Sequence, residues 1–502
     1  MNDQGDVIMQ DIIALNPNKL VQYLDKPRED FTRKDIIKFI ETNDIKMLNF
    51  RYIGGDGRLK TLSFVINSKK HLDQILSTGE RVDGSSLFSF IGASSSDLYV
   101  VPRFKTAFIN PFAEVPTLDI LCAYYTSEGK PLESSPENIV TKAHNVLKDR
   151  TGFTMEALGE LEFYLFSEVD SIYPIIQQKG YHESHPFSKW GAIRLEAMRL
   201  ISEMGGQIKY GHAEVGNIIY NDIEMVQHEI EFLPVPVEDA ADQLVLAKWV
   251  IREVAYKYNL EVSFAPKIIV GHAGSGFHIH ARLLKDGVNL MADENGLTDT
   301  AKKMIAGFLQ LAPSLTAFGN TVPTSYLRLV PHQEAPTSIC WGDRNRSVLV
   351  RVPLGWIGVH NMVADVNPKE LDDAPKYMNN QTVELRSPDG SANVHQLLAG
   401  MAIAALYGLE QKDSLKVAKE LYVCVDASTR NDLRQLPASC WEAADVLLKD
   451  REIYEKYGVF PPGMIEKLAA NLKSYNDKNL SEKLFGNADA LKEIVNKYIH
   501  CG

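Results

Sequence analysis

Residues 153–166 read FTMEALGELEFYLF, a run in which apolar side chains surround Glu160 and Glu162. The run is rich in aromatic and aliphatic residues and predicts one long β-strand. Because successive strand side chains alternate between faces, Glu160 and Glu162 point the same way. Two such carboxylates in an apolar setting repel each other unless a cation joins them. For an isolated pair of this kind, a solvated edge strand is the alternative.

A glycine-rich loop leads into a second predicted strand in GHAGSGFHIH, residues 271–280. His278 and His280 share a face of that strand, a pattern found in metal sites and in ordinary strands alike. No Lys-Ser/Thr pair follows, so the loop is not a P-loop. It also leads into a strand and not a helix, which excludes a dinucleotide fingerprint.

Arginines crowd into two later stretches, residues 325–353 and 383–390. Some are interleaved with apolar residues and cannot be freely solvated, and buried guanidinium groups need anionic partners. A phosphate chain or a carboxylate ligand would provide them, and structural pairing with an acid such as Asp343 is the alternative. These arginines are Arg328, Arg344, Arg346, Arg351 and Arg386.

Further carboxylates complete a candidate metal site. Glu384 shares a strand face with Arg386, and Glu214 and Glu229 lie in partly apolar contexts. Each alone is more typical of a surface glutamate. Taken together, oxygen-rich ligands favour Mg²⁺ or Mn²⁺ over zinc, and carboxylate-bound ions beside arginines are typical of phosphoryl transfer.

Composition narrows the class of protein. The chain has 502 residues and a net charge of −12, which argues against general nucleic-acid binding. Its longest apolar run, residues 397–409, is too short to span a bilayer and predicts a buried helix, so no membrane partner is expected. The five cysteines are scattered, and no signal peptide precedes them. We expect a cytoplasmic protein.

The sequence also predicts a domain boundary near residue 135. Before it, LNFRYIG and LKTLSFVI form a hairpin signal, after a helix that begins at Thr32. The polar stretch SEGKPLESSP, residues 127–136, marks the boundary. After it, helices over 136–150, 190–204 and 237–258 mix with strands such as SFAPKIIV and FHIHARLL.

Eight motifs in order resemble the glutamine synthetase family, closest to its bacterial type I branch. Any one is weak, but the ordered set is specific. They are RVDGSSLF (81–88), GELEF (159–163), HAEV (212–215), QHEIEF (227–232), FAPKIIVGHAGSGFHIH (264–280), SYLRLVPHQEAP (325–336), RNRSVLVRVP (344–353) and VELRSPDG (383–390).

The resemblance implies an α+β fold in three parts. An N-terminal extension and leading helix would cover residues 1–44, and a β-grasp domain residues 45–134. A larger catalytic domain, with a curved antiparallel sheet and helices, would cover residues 135–502. The implied activity is ATP-dependent ligation of ammonia to the γ-carboxylate of L-glutamate through γ-glutamyl phosphate, which gives glutamine, ADP and phosphate.

The resemblance also assigns metal ligands. Two Mg²⁺ or Mn²⁺ ions per site are expected. One would be bound by Glu162, Glu214 and Glu229. The second, which touches the ATP phosphates, would be bound by Glu160, His278 and Glu384, with His280 in support.

Substrate and catalytic residues follow from the same motifs. Arg346 and Arg351 would hold ATP and the transferred phosphoryl group. Arg328 and Arg386 would grip the glutamate carboxylates, with Gly274 offering a backbone contact. Asp83, from a neighbouring subunit, would deprotonate ammonium, and Glu334 would lie on a flap over the intermediate. The implied assembly is a homo-oligomer of hexameric rings, two of which stack into a dodecamer.

Three departures from the family pattern concern the amino-acid pocket, a phosphate contact and the spacing of two metal ligands. Ala273 replaces an Asn that helps to place the amino acid, and Thr382 replaces an Arg that contacts phosphate. Glu214 and Glu229 are also unusually far apart, which predicts an inserted loop between them and ranks Asp222 and Glu224 lower as ligands. The alternatives are a γ-glutamyl-amine ligase that uses a polyamine, and a non-catalytic family member.

Overall fold

The computed structural model describes residues 13–92, 96–330, 335–355, 361–370, 379–484 and 486–502. A smaller N-terminal sheet and a larger C-terminal sheet each have their own apolar cluster. None of the described helices combines the length and the apolar character that crossing a bilayer requires.

The N-terminal sheet has the strand order β2-β1-β6-β4-β3, with β5 paired to β6. The predicted hairpin is confirmed, and β1 also pairs with β6 in parallel. The leading helix begins where predicted, because Thr32 caps it in a capping box with Asp35. The elements are α1 (Lys19–Leu24), α2 (Arg33–Thr42), β1 (Met47–Ile53), β2 (Leu59–Val65), α3 (Lys69–Thr78), β3 (Glu80–Asp83), α4 (Gly84–Leu87), β4 (Asp97–Pro102), β5 (Phe108–Ile109) and β6 (Thr117–Tyr125).

The larger sheet has the order β16-β17-β18-β12-β7-β9-β8. The quoted opening run forms its long strand β7, which pairs with β9 on one side and β12 on the other. The strands are β7 (Thr154–Glu168), β8 (Ile208–Tyr220), β9 (Ile223–Phe232), β10 (Val235–Pro236), β11 (Glu261–Ser263), β12 (Phe277–Lys285), β13 (Val288–Asn289), β16 (Trp341–Asp343), β17 (Val350–Val352) and β18 (Val383–Leu385), with a separate pair β14 (Ala292–Asp293) and β15 (Gly296–Leu297).

Helices cover the larger sheet and fill the C-terminal part. The apolar run at residues 397–409 lies in α11, which is buried over most of its length as predicted. The helices are α5 (Pro136–Thr151), α6 (Gly191–Glu203), α7 (Val237–Lys257), α8 (Asp299–Gly319), α9 (Ser325–Arg328), α10 (Met362–Val366), α11 (Val394–Glu410), α12 (Ser414–Glu420), α13 (Cys440–Lys449), α14 (Arg451–Glu455), α15 (Met464–Ser474), α16 (Leu480–Leu484) and α17 (Ala488–Lys497).

Ion pairs to two buried acids, Asp239 and Asp242, join the two parts of the chain. Arg103 donates to Asp242 over 2.7 Å, and Lys105 donates to Asp239, also over 2.7 Å. The Arg51 guanidinium lies over the Trp249 ring at 4.4 Å. Charged groups buried in this way are strongly destabilising when one partner is lost, so they fix how the N-terminal sheet sits against α7.

Two local predictions were wrong. SFAPKIIV was predicted as a strand, but β11 ends at Ser263. Pro266 has no N–H to donate, its carbonyl accepts from the Ser275 N–H, and the chain closes into a loop. The inserted stretch 217–225 is not a loop either. It lengthens the β8–β9 hairpin, with a turn at Asn221 (φ 56°), a residue type that tolerates this conformation.

Candidate active site

A cavity of about 1220 Å³ opens against the glycine-rich loop and the face of the larger sheet. Its far wall is formed by the C-terminal segment 426–435. Seven predicted site residues line it: Glu162, Glu214, Gly274, His278, Arg328, Arg346 and Arg386.

Strand register brings the carboxylates together. Glu160 lies directly opposite Glu231 on β9, and Glu162 lies opposite Glu229. On the other side of β7, Glu160 lies opposite His278. Directly opposed side chains are about 4.5–5.5 Å apart at Cβ, so the alternation seen in the sequence becomes a cluster of acids on one face.

Glu160 is the centre of this cluster. Its carboxylate contacts His278 Nδ1 at 2.8 Å and His280 Nε2 at 2.9 Å. Burial opposes ionisation of Glu160, but the nearby imidazoles outweigh it and hold its pKa well below the usual range. Burial also lowers the pKa of His280, yet the charge of Glu160 outweighs this and raises it.

Three side chains in the described part of the chain are placed to hold a metal ion, and this set differs in one member from the predicted set of Glu160, His278 and Glu384. Ligand atoms of Glu160, His280 and Glu384 lie within 4.8 Å of one another. The sequence assigned His278 here and gave His280 a supporting role. His278 remains adjacent, with its Nδ1 at 3.7 Å from Glu384 Oε1. Both imidazoles therefore reach the same pair of carboxylates.

The remaining acids show that this face is short of positive charge. Burial and the charges of Glu160, Glu162 and Glu214 raise the pKa of Glu229 well above its usual value. Burial also raises the pKa of Glu162, although His278 and Arg328 oppose the shift. A divalent cation would relieve both penalties, and the donors are mostly carboxylate oxygens, so the residues fit Mg²⁺ or Mn²⁺.

Glu214 reaches the cavity because β8 bulges. The register with β9 shifts between Ala213 and Asn217, which leaves Glu214 off the ladder. Its carboxylate lies 3.7 Å from His212 Nδ1, and His212 Nε2 contacts Glu229 at 3.1 Å. The bulge thus brings Glu214 near Glu229 despite their separation in sequence.

The predicted arginines divide into two groups. Arg328 and Arg386 are buried, whereas Arg346 is exposed at the cavity and Arg351 is half-buried. Glu384 accepts from Arg351 and from Arg386, each over 3.0 Å. Asp343, the alternative structural partner, instead accepts from the Tyr422 hydroxyl. The arginines that the fold keeps from solvent are therefore Arg328 and Arg386, and Arg346 is not among them.

Arg328 is positioned for a ligand in the cavity. Its guanidinium donates to the Ser387 carbonyl over 2.9 Å and lies 3.4 Å from His278 Nε2. A Cβ on Gly276 would come within 3 Å of side-chain atoms of His278, Arg328 and Glu162, so a larger residue there would displace these side chains from the site. The absence of a side chain lets the loop pass between this cation and this acid.

One predicted catalytic residue, Asp83, is not brought into the cluster. Asp83 lies at the end of edge strand β3 and does not line the cavity. It is exposed and caps α4, and hydrogen bonds from Ser85 and Ser86 lower its pKa to about 2. Glu334 lies outside the described residues.

Side chains missed by the sequence reasoning hold the site in place. Gln227 is fully buried and donates to Glu162 over 2.8 Å and to the Gly274 carbonyl over 3.1 Å. Gln227 shares a strand face with Glu229 and Glu231. Strand alternation along QHEIEF could therefore have identified Gln227 and Glu231 as residues that face the site. Thr382 contacts His280 Nδ1 at 2.9 Å, which no local pattern predicts.

Family models match both parts of the chain, and they describe the same family. Residues 133–483 match the family described as glutamine synthetase, catalytic domain, and residues 44–127 match glutamine synthetase, beta-Grasp domain. The chain is 30% identical to the glutamine synthetase of Clostridium saccharobutylicum over 439 residues, which are 85% of this chain and 91% of that protein.

Solved structures show the same architecture. Glutamine synthetase of Plasmodium falciparum superposes with a TM-score of 0.73 at 19% identity, covering 91% of this chain and 98% of that one. Apo GmaS without ligand superposes with a TM-score of 0.71 at 18% identity, covering 89% and 97%. The predicted β-grasp domain followed by a catalytic domain with a curled sheet is confirmed.

Proposed function

Because the chain belongs to the glutamine synthetase family, whose members are ATP-dependent ligases, we propose that it joins ammonia to the γ-carboxylate of L-glutamate. A carboxylate is a poor acyl donor, so ATP would first convert it to γ-glutamyl phosphate. Ammonia would then displace phosphate, which gives glutamine, ADP and phosphate.

The observation that best supports this proposal is the meeting of acids and buried arginines in one cavity. Glu162 and His278 line the same space as Arg328 and Arg386. Such a site can hold an acidic substrate beside a phosphate chain, because its cations are fixed and largely kept from water. A non-catalytic family member would have no need of this arrangement.

Each group has a part in the reaction. Glu162, Glu214 and Glu229 would hold one ion, and Glu160, Glu384 and an imidazole the other. When bound, the ions would offset the charge of the ATP phosphates. Arg346 and Arg351 would hold the phosphoryl group in transfer. Arg386 bonds to Glu384, so we place it at the γ-carboxylate end of glutamate and Arg328 at the α-carboxylate end.

Exclusion of water would protect the acyl phosphate, since water that reached it would hydrolyse it. We propose that Glu334 belongs to the segment that closes over it. Asp83 is ionised at neutral pH and would attract ammonium and accept its proton.

The location of Asp83, away from the cavity of its own chain, leads us to propose that it acts in the site of a neighbouring subunit. Subunits bearing Asp83→Ala and subunits bearing Arg346→Ala should each be inactive. Mixed rings should recover part of the activity, because some interfaces join two intact halves. The measurement is glutamine formation after co-assembly. Absence of recovery in rings shown to be mixed would mean that each site is built within one chain.

A second acceptor is supported by one residue. Ala273 occupies the position where the family pattern has Asn. A γ-glutamyl-amine ligase would use the same activation of glutamate with a larger amine. The presence of Asp83 favours ammonia as the acceptor, since a larger bound amine depends less on a carboxylate that binds and deprotonates ammonium.

The deciding experiment is an ATP-hydrolysis assay with L-glutamate and a panel of amines that includes ammonia, methylamine and putrescine. We expect phosphate release to require glutamate and to be fastest with ammonia. Faster release with another amine would assign the acceptor to that amine. Release that is independent of glutamate would contradict the function.

Replacing Ala273 by Asn should improve glutamate affinity only modestly. A neutral hydrogen bond contributes about 0.5–1.5 kcal/mol, so the KM for glutamate should fall by roughly tenfold at most. The measurement is steady-state kinetics with varied glutamate at saturating ATP and ammonia. A wild-type preference for another carboxylic acid would show that the pocket has been repurposed.

A further inference from the structure

The segment before α6 pairs with the bulge of β8. Backbone N–H groups of Gln178, Gly180 and His182 donate to carbonyls of Asn217, Val215 and Ala213 in alternation. The donors advance along this segment as the acceptors recede along β8, so the segment runs antiparallel to the part of β8 that leaves the ladder with β9, without forming a regular strand. The pairing brings Gln178 and Tyr181 to the cavity, which both of them line.

Gln178 is held in an uncommon conformation there. Its φ of 55° lies in the left-handed region, which is costly for a residue with a Cβ. Its side-chain Oε1 accepts from the Ala273 N–H over 2.7 Å, and its Nε2 donates to the Asn217 carbonyl over 3.0 Å. The side chain is therefore fixed at both ends of its amide.

This amide lies beside the loop that packs on Arg328. Ala273 is followed by Gly274, where a Cβ would approach the Arg328 side chain to 3.2 Å. The Ala273 carbonyl is held by the Tyr164 hydroxyl at 2.8 Å and the Gly274 carbonyl by Gln227. An amide NH2 has two hydrogens and the Asn217 carbonyl accepts one, and no residue in the described part of the chain accepts the second, which can serve a ligand in the cavity.

We propose that Gln178 is a substrate-binding residue that donates its second amide hydrogen to the α-carboxylate of the amino-acid substrate held by Arg328. The proposal rests on glutamate being that substrate. It gives the site an amide donor although residue 273 is an alanine. Gln178 would help to select an α-amino acid over an acid that lacks the α-carboxylate.

The test compares Gln178→Met with Gln178→Asn, which keeps an amide but is one methylene shorter. Both should raise the KM for L-glutamate roughly tenfold to hundredfold, since a hydrogen bond to a charged group is lost. The KM for ATP should stay unchanged. The inhibition constant of 4-aminobutyrate, which is glutamate without its α-carboxylate, should also stay unchanged. Gln177→Met is the matched control, because Gln177 is exposed and contacts only the His272 side chain among the described residues.

Three results would overturn the proposal. An unchanged glutamate KM in both variants would show that Gln178 does not donate a hydrogen bond to the substrate. An equal rise in the 4-aminobutyrate inhibition constant or in the ATP KM assigns Gln178 to holding the loop and not to binding substrate. Wild-type enzyme that does not use glutamate overturns this inference together with the proposed function, whereas normal wild-type turnover with an unchanged KM in the variants overturns this inference alone.

Discussion

Replacing Glu160 by Ala should reduce glutamine formation to background and weaken Mn²⁺ binding by at least roughly a hundredfold. Changes around a metal site already cost about 10–100-fold in affinity when they affect only the groups that orient the ligands. Glu160 has a larger role, because it contacts both His278 and His280 and faces Glu384. Its loss would leave two buried imidazoles without their carboxylate. The measurements are Mn²⁺ titration by calorimetry and ligase activity.

The matched control is Glu156→Ala. Glu156 lies on the same strand and the same face, but it pairs with Arg282 over 2.6 Å, away from the cluster. This variant should keep its Mn²⁺ affinity and activity.

Treatment of wild type with a chelator should abolish activity, and added Mg²⁺ or Mn²⁺ should restore it. Full activity in the chelated enzyme would contradict the metal assignment.

Replacing Arg328 by Ala should raise the KM for glutamate by at least roughly a hundredfold. A charge-assisted hydrogen bond contributes about 1.5–3 kcal/mol, and a guanidinium can form two to one carboxylate. The buried location of Arg328 keeps water from replacing it. Arg328→Lys should recover only part of the loss, because lysine keeps the charge without the planar pair of donors.

Arg430 provides the comparison for Arg328. It also lines the cavity, but it is partly exposed and already bonds to Asp432 over 2.7 Å. Exposed pairs of this kind contribute little, so Arg430→Ala should change the glutamate KM by less than about threefold. An Arg328→Ala enzyme with unchanged glutamate kinetics would show that the acid is bound elsewhere.

The sequence by itself determined most of the elements and the faces of the site strands. Strand alternation is a local property of the backbone, so GELEF, FHIH and VELR could each be read for the residues that share a face. The capping box at Thr32 and the apolar run in α11 were likewise predictable, because capping and burial leave local signatures. The order of eight motifs was enough to indicate the family.

Tertiary structure alone decided which side chains meet. The register of β7 with β9 and β12 places Glu160 between Glu231 and His278, and register is set by contacts far apart in sequence. The same holds for the bulge that delivers Glu214. SFAPKIIV was wrongly predicted as a strand because its apolar residues have strand character, whereas Pro266 and Lys267 in its middle bond to Ser275 and His272 of the glycine-rich loop.

The roles of Gln178 and Thr382 also depended on the fold. Each contacts a partner about a hundred residues away in the chain, Ala273 and His280 respectively. A local pattern states which way a side chain points, but not which atoms it meets there. Chemistry at a site requires both. The sequence could therefore indicate the family and many of the residues that line the cavity, whereas the arrangement around Glu160 followed only from the packing of distant strands.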